Sequence, residues 1–154
     1  MSLWDWAIKA YGKDGVSEAC LQLQDYFEQN VCLLLWAAWC GETGRKPADD
    51  DLEAACDIAR AWQDTTIAPL RAVRRTLKKP VPDLDTEARE AVRNRIKAIE
   101  LEAERHLLAQ LEALVPEPNG KPVPVMDAMV AAARQWEAVV PRPALTVLAQ
   151  RLSA

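Results

Sequence analysis

Arg71, Arg74 and Arg75 stand at i, i+3 and i+4, with Lys78 and Lys79 continuing the row, so a helix through them would carry positive charge along one face. A stripe of that kind can grip phosphates, and with them a nucleic-acid backbone. No aromatic residue is interleaved with it, so base stacking is not indicated. Glu100, Glu102 and Glu104 lie further along the chain and could neutralise the stripe from a neighbouring helix. The only histidine, His106, sits four residues after Glu102. A Glu–His pair can move protons in general acid–base chemistry, but the same spacing is also an ordinary surface pair on a helix, and no Ser or Cys nucleophile accompanies it.

Two further sets of residues invite a metal. Asp49, Asp50, Asp51, Glu53, Asp57 and Asp64 form an acidic group, but their spacing does not place several carboxylates on one helical face, and the first three suit the positive end of a helix instead. Cys20, Cys32, Cys40 and Cys56 are all widely spaced, whereas zinc ligands come in close pairs. Cys20 and Cys56 fall on apolar helical stripes, where a cysteine acts as a small hydrophobe. The sequence therefore calls for no metal and no cofactor.

Tryptophan is the most unusual component. Trp4, Trp6, Trp36, Trp39, Trp62 and Trp136 outnumber the single phenylalanine. An indole N–H needs a partner when buried, which draws tryptophan to interfaces and pocket rims. Trp4 and Trp6 are two residues apart, so a helix cannot hide both on one face.

The elements that must position these residues all read as helices. Ser2 and Asp5 form a capping box opening a helix to about Tyr11. Asp14 is a candidate cap for the next, whose stripe is Val16, Ala19, Cys20, Leu23 and Phe27. Asn30 interrupts the chain before NVCLLLWAAWCG, an uncharged run that is apolar all round and reads as a central helix. Val31 to Cys40 would be roughly 15 Å long as a helix, about half a bilayer's hydrocarbon core, so it cannot insert across a membrane alone. Gly41 to Ala48 reads as a loop, and Asp50 with Glu53 as a second capping box.

The fourth helix carries Leu52, Ala55, Cys56, Ala59 and Trp62 and continues through Leu70, Val73 and Leu77. Pro69 lies inside that pattern and predicts a break near Gln63 to Thr66, because proline lacks the amide and collides with the carbonyl of Thr65. The fifth and longest helix runs from about Thr86 to Val115, with a stripe of Val92, Ile96, Ile99, Ala103, Leu107, Leu111 and Leu114. Two short helices follow, about Met126 to Val139 and Ala144 to Leu152. The similar segments KPVPDLD (Lys79 to Asp85) and KPVPVMD (Lys121 to Asp127) read as stiff linkers that each end in an aspartate N-cap.

Together these predict an all-α fold: one domain over residues 1–154, with six or seven helices around a central apolar helix, the kinked fourth and long fifth forming an antiparallel pair. A formal net charge of −4 argues against a nucleic-acid partner. MSLWDWAIKAYGKDG has none of the marks of a secretory signal, and four cysteines without export imply reduced thiols in the cytoplasm.

LWDWA (Leu3 to Ala7), CLQLQD (Cys20 to Asp25) and NVCLLLW (Asn30 to Trp36), with weaker support from AWQDTTIAPLRAVRRTLK (Ala61 to Lys78), resemble a family of bacterial proteins of similar length known only as a domain of unknown function. The resemblance covers residues 1–79. Residues 80–154 carry none of it, as in a family whose C-terminal part varies. It implies a bacterial cytosolic helical protein and assigns no site.

The functional expectation is a non-enzymatic interaction or regulatory protein with a protein partner. It would act through an apolar groove lined by Trp4, Trp6, Trp36, Trp39 and Trp62, or through the basic face of Arg71, Arg74 and Arg75. The alternative is a small apolar-ligand-binding protein or an enzyme, with a cavity ringed by Trp36 and Trp62 and an acid such as Asp57 or Asp64, or His106. Homo-oligomerisation is left open.

Overall fold

A computed structural model describes residues 1–154 in full. Its elements are α1 (Leu3–Tyr11), α2 (Val16–Phe27), α3 (Val31–Thr43), α4 (Asp49–Trp62), a π turn (Gln63–Ile67), α5 (Ala68–Thr76), α6 (Thr86–Leu114), α7 (Val125–Trp136) and α8 (Arg142–Ser153). Because α4, the π turn and α5 run on without a break, the fold is all-α with seven helices and no strand. No helix is long and apolar enough to cross a membrane.

The apolar run forms the expected centre. Asn30 starts α3 by accepting the Leu33 N–H on its Oδ1 at 3.0 Å. Every residue from Leu33 to Gly41 is buried, since α3 packs along α7 and against α6, α1, α4 and α2. The helix outlasts the loop expected from Gly41 onward: it continues to Thr43, and Gly44 ends it at φ 73° while the Arg45 N–H reaches the Cys40 carbonyl at 2.8 Å. Gly41 lies inside the helix where a side chain would not fit. A Cβ there would lie 2.9 Å from Ala128 of α7, so the glycine lets the two helices approach.

Two expected caps are replaced. Gly15, at φ 82°, begins α2 with no side-chain cap, so Asp14 does not serve. At the start of α4 it is Asp51, rather than the Asp50–Glu53 pair, that reaches back to the Ala48 N–H at 2.8 Å. Asp85 does cap α6, accepting from Ala88 at 2.9 Å. Its counterpart Asp127 lies in the first turn of α7 behind Pro124, so the two proline segments end differently.

The break before Pro69 is a π turn. Without an amide, Pro69 cannot continue the α pattern, and the chain widens so that the Ala68 N–H bonds five residues back to Gln63. Beyond the kink the expected core stripe is not buried. α5 buries nothing, and Val73, Val92 and Ile99 face water, whereas Ala103, Leu107 and Leu111 lower on α6 are in the core. The cause is topological: α5 contacts mainly α6 and the π turn, so the two helices project beyond the body as an antiparallel hairpin. Phe27, also expected in the core, is 44% exposed because α2 ends there in a left-handed turn at Glu28.

Candidate functional site

The five tryptophans do not all line one groove. Trp36 and Trp39 lie wholly inside the core with their indole N–H groups unpartnered. Trp39 is covered by the Arg45 guanidinium, 3.9 Å from the ring centre. Trp4 and Trp6 are both half-buried on α1: Arg105 lies 5.1 Å from the Trp4 ring, and Trp6 donates to Glu42 at 3.2 Å. Trp62 is half-buried elsewhere, stacked on His106 with ring centres 6.2 Å apart. Trp6 and Trp39 line one surface pocket with Lys9, Glu42 and Arg45, while Trp62 and His106 line another.

Nor is the basic stripe a free face. Arg74 points to α6 and pairs with Glu100, Nε to Oε2 at 2.5 Å and Nη2 to Oε1 at 3.2 Å. Arg75 pairs with Asp25 of α2 at 2.9 Å, not with α6 as expected. Glu102 lies 3.9 Å from His106 in a surface pair. Arg71 has no carboxylate within ion-pair reach. It lines a cleft.

That cleft, of about 370 Å³, is one on which several elements converge. The kinked helix contributes Arg60, Gln63, Ile67 and Arg71, whose spacing of three, four and four residues puts them on one side of the π turn. Across from them stand Gln29, Asn30 and Cys32 at the start of α3, Tyr11 at the end of α1, Glu104 and Leu107 on α6, and Trp136 at the end of α7. The turn between α2 and α3 sets its wall. Glu28 adopts a left-handed φ of 51°, and its carbonyl accepts the Trp136 indole N–H at 3.0 Å.

Hydrogen bonding in the wall is incomplete. Asn30 donates from Nδ2 to Gln63 Oε1 at 3.1 Å, clasping α3 to the π turn and leaving the Gln63 NH2 as a spare donor. Gln29 is 3% exposed and donates to the Phe27 carbonyl at 3.1 Å, but its own Oε1 has no partner. A buried acceptor left empty costs about 1–3 kcal/mol, and the Gln29 Oε1 is one of the few such atoms in the chain. Arg60 is held in place, donating to the Trp136 carbonyl with its guanidinium 3.9 Å above that ring.

Burial governs the acids here. Loss of water raises the Glu104 carboxyl above its ordinary value, Arg71 pulls it back down, and Glu100 adds to the rise. Burial likewise pushes the Cys32 thiol well up, with Glu104 and Cys20 adding to it. The Cys20 thiol is pushed up to about 12, also by burial. Thiolate is the reactive form, so none of these cysteines is activated. We expect Cys20, Cys32, Cys40 and Cys56 to react with a disulfide reagent at neutral pH only as fast as the chain opens, which a comparison of native and urea-unfolded labelling rates measures. Rapid labelling of one thiol in the folded chain would contradict this.

Of the cleft residues, only Arg71 was legible as a candidate; Gln29, Asn30, Arg60, Gln63 and Glu104 were not. One signal was available: Gln29 and Asn30 are adjacent amides at the threshold of an uncharged run, and Gln63 falls in the predicted break.

Comparison with known proteins gives one match. The family described as "Protein of unknown function (DUF2390)" matches residues 2–111. That span includes α1 to α5 and most of α6, and so every cleft residue named above except Trp136. No curated protein and no solved structure matches the chain.

Proposed function

The chain belongs to the DUF2390 family of proteins of unknown function, and from the geometry of its cleft we propose that it is a non-enzymatic binding protein for a small polar molecule with an anionic group at one end and a hydrogen-bond donor at the other. What supports this is one cleft in which Arg71 stands near the buried Glu104 but has no carboxylate within ion-pair reach, and Gln29 has a buried acceptor with no partner. A carboxylate or phosphate would satisfy the first, with Gln63 donating beside it. A hydroxyl, amide or ammonium group would satisfy the second. The volume, about 370 Å³, lies within the range of about 300–1,000 Å³ common for ligand pockets.

Two features support binding over catalysis. The cleft contains no nucleophile beside a base, and its one thiol is held protonated by burial. His106, the only histidine, is on the surface and stacked on Trp62. The mixed lining, with two arginines and several amides, favours a polar ligand over an apolar one. We also propose a bacterial cytoplasmic location, which the four free cysteines support because thiols stay reduced there.

The test is a thermal-shift screen against amino acids, dicarboxylates and phosphate esters. A ligand at a hundred times its Kd adds about 2.7 kcal/mol, which for a chain of this size raises the Tm by roughly 5–10 °C. We expect at least one of these classes to do so, and Arg71→Gln to abolish the shift while the unliganded Tm stays close to that of the parent. No shift from any class, or an equal shift in the variant, would overturn the proposal.

A further inference from the structure

The α5–α6 hairpin carries an apolar face that nothing in the chain covers. On α5 the stripe is Leu70, Val73 and Leu77; on α6 it is Val92, Ile96 and Ile99, and in each helix these positions share one side. Val73, Val92 and Ile99 are 47%, 51% and 47% exposed. The other three are partly covered. The opposite side of the hairpin is the one turned to the body: there Arg75 meets Asp25 and Arg71 enters the cleft. The apolar side therefore looks to solvent, and a hairpin with one apolar face is half of a four-helix arrangement.

We propose that this face binds a second copy of the chain, two α5–α6 hairpins closing into a four-helix bundle about a two-fold axis. The charges along its edge select that occupant. Arg95 and Glu102 are both exposed, lie seven residues apart on the same edge of α6, and flank Ile99 on either side. A rim of one sign would suit a partner of the opposite sign. A rim with one charge of each sign on either side of the apolar centre is complementary to itself. A two-fold axis crossing α6 between them, with the two α6 helices antiparallel, sets each Arg95 against Glu102 of the other copy, as an isologous interface requires. Toward the body, His106 follows Ile99 by seven residues on the same side, and the Trp62 ring stacked on it ends the stripe.

Sedimentation equilibrium of the full chain tests this. The expected result is a species of twice 17.1 kDa that dissociates on dilution. Val92→Glu and Ile99→Glu alter exposed positions, so both should keep the parent circular dichroism and sediment as monomers. Arg95→Glu and Glu102→Arg should each weaken self-association by about tenfold or more, because like charges then face each other. Mixed one to one, these two variants should regain the affinity of the parent, since both ion pairs re-form between unlike copies. A parent chain that stays monomeric at about 100 μM, far above a micromolar Kd, would overturn the proposal. So would a dimer indifferent to Val92→Glu, or a mixture that does not recover.

Discussion

Trp36→Ala is expected to destabilise the fold by about 3–5 kcal/mol, the range for truncating a large buried aromatic. Trp36 is 0% exposed at the middle of α3, and the helices packed on α3 cannot all collapse into the space the indole leaves. A domain of this size is stable by about 5–15 kcal/mol in total, so the change would remove a large share. The indole N–H has no partner, which separates this site from an ordinary core tryptophan. Trp36→Phe removes that buried donor while keeping most of the ring, and should cost far less than the alanine change. Urea denaturation of both variants measures the difference. An unchanged midpoint for Trp36→Ala would mean that α3 is not the centre of the core.

Arg74→Met is expected to cost about 3 kcal/mol, the low end for breaking a buried ion pair. Glu100 has a side chain only 8% exposed, and its partner is 24% exposed. Removing the arginine leaves a carboxylate in the hairpin interior with little water to replace two hydrogen bonds. The figure is held to the low end because Arg74 itself is partly solvated. Glu100→Leu combined with Arg74→Met should recover most of the loss, since two apolar side chains need no partner. The double-mutant cycle by urea denaturation decides it. A cost for the single change within a few tenths of zero would show that the pair is as weak as a surface one.

Much of the fold was legible because helical periodicity and capping are local. The apolar run became the central helix, Ser2 and Asp85 cap where their positions suggest, and Pro69 breaks the fourth helix just before itself. What misled was the assumption that an apolar stripe must be covered. Leu70, Val73, Val92 and Ile99 have the pattern of core residues, but periodicity says only which side of a helix they share. Whether another helix lies there depends on the topology, which leaves this hairpin bare. The basic stripe was misread in part for the same reason: the pairing of Arg74 with Glu100 followed from antiparallel helices, but Asp25 opposite Arg75 comes from a distant helix.

The cleft was hidden for a different reason. Its polar groups come from several separate elements, and their spacing matches no known motif. Gln29 looks like any helix-end glutamine until the left-handed turn at Glu28 carries it inside. The π turn adds a residue to the helical repeat, so Arg60, Gln63 and Arg71 come to face one space from both sides of a break. Sequence periodicity predicts the break but not the direction in which the widened turn aims its side chains.

Gln29, Gln63 and Arg71 are proposed to hold a ligand together. The most direct measurement is an amide NMR titration of the 15N-labelled chain with the compound that gives the largest thermal shift, following the side-chain NH2 signals of Gln29, Asn30 and Gln63. These signals and the backbone amides of the π turn should move together and saturate with one affinity, and none of them should move in Arg71→Gln. Saturable shifts confined to the surface around Trp62 and the α5–α6 face, with the three amides unmoved, would contradict the proposal.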